Sequence, residues 1–168
     1  MNEVANLYEL ATMSDTDRED RQNDPPGYET PYERVGPLVG ASALGLTVYD
    51  LATGQSVCPY HYEFGREEWL LVLTGRPTLR DPEGEHELEP GDLVLFPEGE
   101  EGAHKVTNRG DGVARIAMFS NTEDPSVGVY PDSKKIGVWP PGKIFRLGDA
   151  VDYWDGELDP AVSETNAT

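Results

Sequence analysis

From about residue 35 onward, apolar runs of four to eight residues alternate with short clusters of Gly, Pro, Asp and Asn. ALGLTVYDL, SVCPYHYEF and WLLVLTG come first, and DLVLFP, AHKVTN and VARIAMFSNT follow. Runs of that length, closely spaced and bounded by turn formers, predict eight or so short strands packed as a sandwich or small barrel. Asp81-Pro82-Glu83-Gly84 has proline second and glycine fourth, which predicts a turn between two of them. Residues 125–148 are broken by prolines, and a wrap over the barrel is expected there rather than more regular sheet. Upstream, Val4, Leu7, Tyr8 and Leu10 stand near helical spacing and predict a short amphipathic helix within residues 1–13. Residues 14–26 are polar and end in two prolines. They offer too little apolar surface to offset ordering entropy, so a flexible linker is expected, and the segment from about 158 reads the same way.

Composition sharpens this picture. A chain of 168 residues is one domain's worth, and its 18 Gly and 14 Pro suit short strands better than a helical bundle. The expected division is an acidic, largely flexible N-terminal extension (1–34), a barrel with its wrap (35–148) and an acidic C-terminal tail (149–168). Formal net charge is −19. Residues 1–34 hold 9 acidic and 3 basic side chains, and residues 149–168 hold 6 acidic and none basic, so the two ends carry 12 of the 19 excess charges. So acidic a chain repels phosphate backbones and anionic bilayers, which argues against nucleic-acid and membrane partners. Scarce lysine also fits adaptation to high internal salt, which screens such self-repulsion. Cys58 is the single cysteine, the N-terminus has no basic n-region, and no stretch approaches a membrane span. Cytoplasmic residence is the expectation.

Candidate chemistry gathers on four side chains. His61 and Glu63 lie two apart on an expected strand, so alternation points both to one face. Glu68 opens the next strand, where a hairpin would bring it beside them, and His104 starts a later one. Two imidazoles and two carboxylates meeting inside a barrel suit one divalent transition ion: Mn, Fe, Co, Ni or Zn. The alternative is a metal-free apolar pocket with hydrogen-bonded histidines, which leaves two buried carboxylates without a cation. Leu70 and Val72 share Glu68's parity and are expected to line the pocket, whereas Cys58, Tyr60 and Tyr62 take the outward parity. His86 is expected at the surface. Trp139, Tyr153 and Trp154 are expected to anchor packing.

In Gly54, His61, Glu63, Glu68 and Gly75, followed by Gly91, Pro97, Gly99, His104 and Asn108, the chain resembles the cupin superfamily over about residues 40–121. It departs from the pattern in the six residues between Gly54 and His61, and in Glu63 standing where a second histidine belongs. The resemblance implies an all-β cupin fold, a double-stranded β-helix or jelly-roll barrel, with one divalent metal held by His61, Glu63, Glu68 and His104. It also implies a small-molecule ligand or substrate and a homodimer formed through edge strands. Related small cupins include isomerases, epimerases, decarboxylases and dioxygenases, and others bind ligand or metal without turnover. Enzyme and binding module both stay open here. Only Arg66, Arg80 and Lys105 supply cations near the motif strands, which argues against phosphorylated substrates.

Overall fold

The computed structural model describes residues 4–13, 24–122 and 124–157. Among the described residues, twelve strands form three antiparallel sheets. The largest sheet contains β1 (Tyr32–Arg34), β2 (Leu44–Leu51), β4 (Glu68–Thr74), β7 (Leu93–Phe96) and β9 (Ala114–Asn121), in the order β1-β2-β9-β4-β7. A second sheet joins β12 (Lys143–Arg146), β11 (Lys135–Trp139), β10 (Ser126–Tyr130) and β3 (Tyr62–Phe64). The third joins β6 (Gly84–Glu87), β5 (Thr78–Asp81) and β8 (Lys105–Thr107). A single antiparallel bridge, His61 to His104, stitches the two smaller sheets together at the ends of β3 and β8. The result is an all-β barrel, as the run lengths predict, and of the jelly-roll kind, as the resemblance implies.

The WLLVLTG run is continuously apolar because β4 is buried on both sides. Leu70 and Val72 point inward to a cluster with Leu51, Leu79, Phe96, Val106, Ile116 and Met118. Leu71 and Leu73 point outward to a second cluster with Val35, Val48 and Ala117. Each such side chain removed from water contributes roughly 1.5–3 kcal/mol. Gly75 ends β4 with φ +79°, and a Cβ there would stand 2.6 Å from the Ala114 Cα. That close approach explains the glycine. At Asp81-Pro82-Glu83-Gly84 the predicted turn closes the β5–β6 hairpin, with the Asp81 carboxylate accepting from the N–H groups of Glu83 and Gly84.

Two expectations fail. Residues 125–148 do not wrap irregularly; they form β10, β11 and β12 in register, with β10 also paired to β3. The prolines (Pro125, Pro131, Pro140, Pro141) all stand between strands rather than within them, so they punctuate a sheet instead of breaking it. The predicted N-terminal helix is absent from residues 4–13, which make only a turn over Leu7–Glu9. Leu7 and Leu10 pack on the outer cluster of the large sheet, while Val4 and Tyr8 stay exposed. Met13 bridges Tyr32, and the Arg115 guanidinium donates to the Tyr8 carbonyl at 2.9 Å while pairing with Asp50. Tertiary contacts, not helical propensity, decide this segment. The expected linker at 14–26, apart from 24–26, and the closing segment from 158 lie outside the described residues. Among the described residues, no helix is long and apolar enough to cross a membrane.

Candidate metal centre

His61 and His104 face each other across the seam between the two smaller sheets. Each backbone N–H donates to the other's carbonyl, at 3.1 and 2.8 Å, and this double bond places both imidazoles on the inner side. Glu68 arrives from the opposite wall. The hairpin expected to bring it beside His61 does not form, because β4 pairs with β7 and β9 and not with β3. Instead Glu68 shares the inward parity of Leu70 and Val72 and reaches across the barrel. Its Oε2 lies 3.7 Å from His61 Nε2 and 3.5 Å from His104 Nε2. The three ligand-type atoms all lie within 4.8 Å of one another.

The surroundings fix which nitrogens face inward. His104 Nδ1 lies 2.9 Å from the Gly102 carbonyl and His61 Nδ1 lies 3.1 Å from the Pro59 carbonyl. A carbonyl only accepts, so each Nδ1 carries the proton and each Nε2 presents its lone pair to Glu68. Buried His104 Nε2 has no hydrogen-bond partner. Phe96 stacks on the His104 ring at 3.7 Å between centroids, and Tyr130 stacks on His61 at 5.8 Å. Such outer contacts hold a ligating imidazole in orientation.

Charge is unbalanced in the same direction. Burial and the neighbouring His61 push His104 down to about 3, and burial lowers His61 as well, so both rings stay neutral. Burial, then the charge of Glu63, raises Glu68 to about 7 against the pull of Arg66. Burial also raises Glu63, although Arg66 opposes it. Neutral imidazoles and strained carboxylates around one point are what a divalent cation relieves, so the donor set fits one. His61, Glu68 and His104 could hold the ion. Glu63, the fourth residue of the expected set, lines the same cavity but stands to one side: its Oε1 is 4.0 Å from His61 Nε2, and its buried Oε2 accepts no hydrogen bond and lies 3.9 Å from Arg66 Nε.

Beside these residues opens a cavity of about 320 Å³, at the lower end of the size range of small-molecule sites. Tyr130, Trp139 and Arg66 are among its lining residues. Trp139 lies along its own sheet because Gly137 and Gly128 lack side chains. A Cβ at Gly137 would come 2.3 Å from the indole, and one at Gly128 3.3 Å from it. The expectation of a packing anchor therefore gives way, for Trp139, to a place in the cavity wall. Tyr153 and Trp154, expected to anchor packing, are instead 82% and 65% exposed and pack edge-on to each other.

Cys58 is a further correction. Expected outside, it lines the cavity with its Sγ 3.4 Å from His61 Nδ1. Residues 57–60 are not a strand, so alternation does not carry from His61 back through Pro59. Leu70 and Val72 keep the expected parity but sit in the core beneath the cavity rather than on its surface. His86 is exposed on β6, as expected. Of the three expected cations only Arg66 reaches the site. Arg80 pairs with Asp132 and covers Tyr60, and Lys105 donates to the Tyr28 hydroxyl. Tyr130, Tyr49 and Met118 also line the cavity, and nothing in their local sequence marks them, because long-range pairing brings them there.

The sequence matches the Cupin_2 family, a cupin domain, over residues 47–120. No protein of curated function matches it. Among solved structures it is similar to a provisionally named sugar phosphate isomerase from Acidithiobacillus ferrooxidans, with 26% identity and a TM-score of 0.71 over 76% of this chain and 82% of that one. A cupin-superfamily sugar phosphate isomerase from Silicibacter pomeroyi aligns with 22% identity and a TM-score of 0.73 over 90% and 98%. The polyketide cyclase RemF from Streptomyces resistomycificus shares the fold at 18% identity, with a TM-score of 0.57 over 97% of each chain. Family match and architecture agree: residues 47–120 match a cupin domain, and the fold is that of a cupin barrel.

Proposed function

We propose that the chain is a metal-dependent enzyme of the isomerase kind, acting on a small polar molecule, with His61, Glu68 and His104 holding one divalent transition ion. The observation that carries this reading is the convergence of three donor atoms within 4.8 Å, one of them a buried imidazole nitrogen without a partner. Glu68 reaches both histidine Nε2 atoms at 3.7 Å or less, inside the roughly 4.2 Å that two ligands of one ion can span with bonds of about 2.1 Å. When bound, the ion supplies Lewis acidity toward a substrate oxygen. The adjoining cavity favours turnover over a closed metal store, since a reactant has room beside the donors.

Glu63 takes the role of base. Its buried Oε2, which accepts no hydrogen bond and has the Arg66 guanidinium 3.9 Å away, and its raised pKa suit a carboxylate that removes a proton from one substrate carbon and returns it to the next. Such a transfer conserves atoms and electrons and needs no oxidant, which separates it from the dioxygenase alternative. Trp139 and Tyr130 exclude water from one side of the substrate. Arg66, the only basic side chain on the cavity wall among the described residues, can meet one anionic group, though it already serves Glu63 and Asp124. The name of the Acidithiobacillus protein supports an aldose–ketose reaction class, while the shortage of cations favours substrates with at most one anionic group.

Metal analysis of the purified chain, with His61→Ala and His104→Ala beside it, tests the centre. About one equivalent of a single ion, lost in both variants, is expected. Folded, metal-free protein that takes up nothing on reconstitution would overturn the reading. For the chemistry, small hydroxy-aldehydes and hydroxy-ketones are incubated in D2O and followed by NMR. Exchange at the carbon beside the carbonyl is expected, and Glu63→Gln is expected to abolish it while keeping the ion. If Glu63→Gln exchanges at the wild-type rate, the base lies elsewhere.

A further inference from the structure

The corner between β3 and β4 is pinned on several sides. The Gly65 N–H donates to a Glu98 carboxylate oxygen at 2.9 Å, and the Glu67 N–H donates to the Asn121 side-chain carbonyl at 2.9 Å. The Asn121 amide group in turn donates to the Gly65 carbonyl at 3.1 Å. A Cβ at Gly65 would stand 2.5 Å from the Pro125 carbonyl oxygen, so the corner also lies close against the residue before β10. Arg66 is carried on this corner, with its Nη2 3.5 Å from an Asp124 oxygen. Glu63 is held on β3 by pairing with Gly128 and by the Gly99 N–H, which donates to its carbonyl at 2.8 Å.

Both side chains line the cavity. Glu63 Oε2 and Arg66 Nε lie 3.9 Å apart, attracted as charges but beyond hydrogen-bonding distance. Both atoms are buried, and neither has a hydrogen-bond partner among the described residues. A buried donor and a buried acceptor left open side by side are uncommon. With both backbones held, the gap calls for a third atom, one that accepts from the Arg66 N–H and donates to the Glu63 carboxylate. It can sit about 2.7–3.0 Å from each.

The chemistry of the gap selects that atom. A phosphate or ionised carboxylate would satisfy Arg66 but stand against Glu63, and Glu68 is a second carboxylate in the same lining. An ammonium would satisfy Glu63 and leave Arg66 open, and a carbonyl would do the reverse. A hydroxyl oxygen meets both. Arg66 is the only basic side chain in the lining among the described residues, so no second cation is left for a phosphate.

We propose that Glu63 Oε2 and Arg66 Nε form a hydroxyl subsite, and that the substrate is a neutral polyhydroxylated molecule, an unphosphorylated sugar or polyol. This rests on the reading of the cavity as the reactant's place and narrows it: Arg66 receives a hydroxyl, not an anion. Glu63 then meets the substrate with both oxygens. Oε2 takes the hydroxyl, while Oε1, 4.0 Å from His61 Nε2, is left for the carbon. Until substrate arrives a water can hold the place, and a hydroxyl that displaces it keeps both bonds.

The test is an NMR titration of the full, isotopically labelled chain with erythritol and with erythronate, which differ only in one end group, neutral against anionic. Each is run without metal and with one equivalent of Zn2+. The Arg66 Nε–H resonance, assigned through its own side-chain carbons, reports on the gap directly. Erythritol is expected to move it and to bind more tightly than erythronate. Arg66→Lys keeps the charge and loses the Nε–H. It is expected to weaken erythritol about tenfold, the loss of one charge-assisted hydrogen bond, with Zn2+ uptake unchanged. Tighter binding of erythronate, an Arg66 resonance indifferent to erythritol, or undiminished erythritol binding by Arg66→Lys would each overturn the proposal and leave only a water in the gap. The two readings fail separately. A chain that takes up no Zn2+ yet answers erythritol at Arg66 loses the metal and keeps the subsite; one that takes up Zn2+ and does not answer loses the subsite alone.

Discussion

The two walls of the barrel are built to different standards. The large sheet is buried on both faces at its centre: Val48, Leu70, Val72, Ile116 and Ala117 are all at most 1% exposed. The sheet of β3, β10, β11 and β12 loses burial strand by strand outward, from Gly128 and Val129 in β10 to β12, where every residue is exposed. Both walls face the same cavity. The first contributes Glu68 from a strand fixed on either side by β7 and β9; the second contributes Glu63 from its edge strand β3, and Tyr130 and Trp139 from β10 and β11. The candidate ion site thus rests on the doubly buried wall and the His61–His104 bridge, while Glu63, Tyr130 and Trp139 sit on the wall that is less buried.

The sharpest break of that contrast is a core truncation. Leu70→Ala, two residues from Glu68 on a side chain with no exposure, is expected to cost about 2–5 kcal/mol in urea unfolding. A loss below about 1 kcal/mol would mean that the large sheet is not the stable wall. Next comes the ion. At a hundredfold excess over its dissociation constant, a divalent ion that binds only the folded chain adds about 2.7 kcal/mol. A calorimetric rise in Tm is therefore expected for the wild type and not for His104→Ala. Equal rises in both would place the ion outside this site.

A third test concerns how the large sheet holds the N-terminal segment. Asp50 accepts from Arg115 and from Thr12, each at 2.7 Å. Burial alone would raise its pKa, but the Arg115 and Thr12 hydrogen bonds and the Arg115 charge outweigh that and hold the carboxyl below its usual range. The stabilisation is fully present above the unfolded value of about 4 and is lost as pH falls through the lower folded value. Asp50→Asn is expected to cost about 1–3 kcal/mol at pH 6, with the gap from wild type closing at lower pH. A gap that widens on acidification would reverse the assignment. The smallest effect is expected on the other wall. Ile144→Ser on β12 should change unfolding by no more than about 0.5 kcal/mol. A loss comparable to that of Leu70→Ala would erase the difference between the sheets.

Much of the barrel was legible because its signals are local. Gly and Pro at corners and alternation along strands both act within a few residues. The candidate site was half legible on the same grounds: His61 and Glu63 share parity over two residues, and the inward face of β4 follows from Glu68, Leu70 and Val72. What escaped was either non-local or interrupted. Glu68 meets the histidines across the barrel through pairings fifty residues apart in the chain, such as Glu68 with Ser120, which no window contains. Cys58 lies inside because the irregular stretch at Pro59 resets the alternation. The three C-terminal strands were hidden by prolines that turned out to stand at their ends.

The facing glycines behind Trp139 have a consequence for how this site could change. Gly128 and Gly137 are cross-strand partners, and the indole occupies the room their missing side chains leave. The capacity of the cavity is therefore set from behind its wall, by atoms that are not there. One methyl group at position 137 would push the indole toward the donors and shrink the space available to a reactant, without touching His61, Glu68 or His104. Substrate range and ion binding are in this way separately adjustable, and a lineage could drift in one while conserving the other.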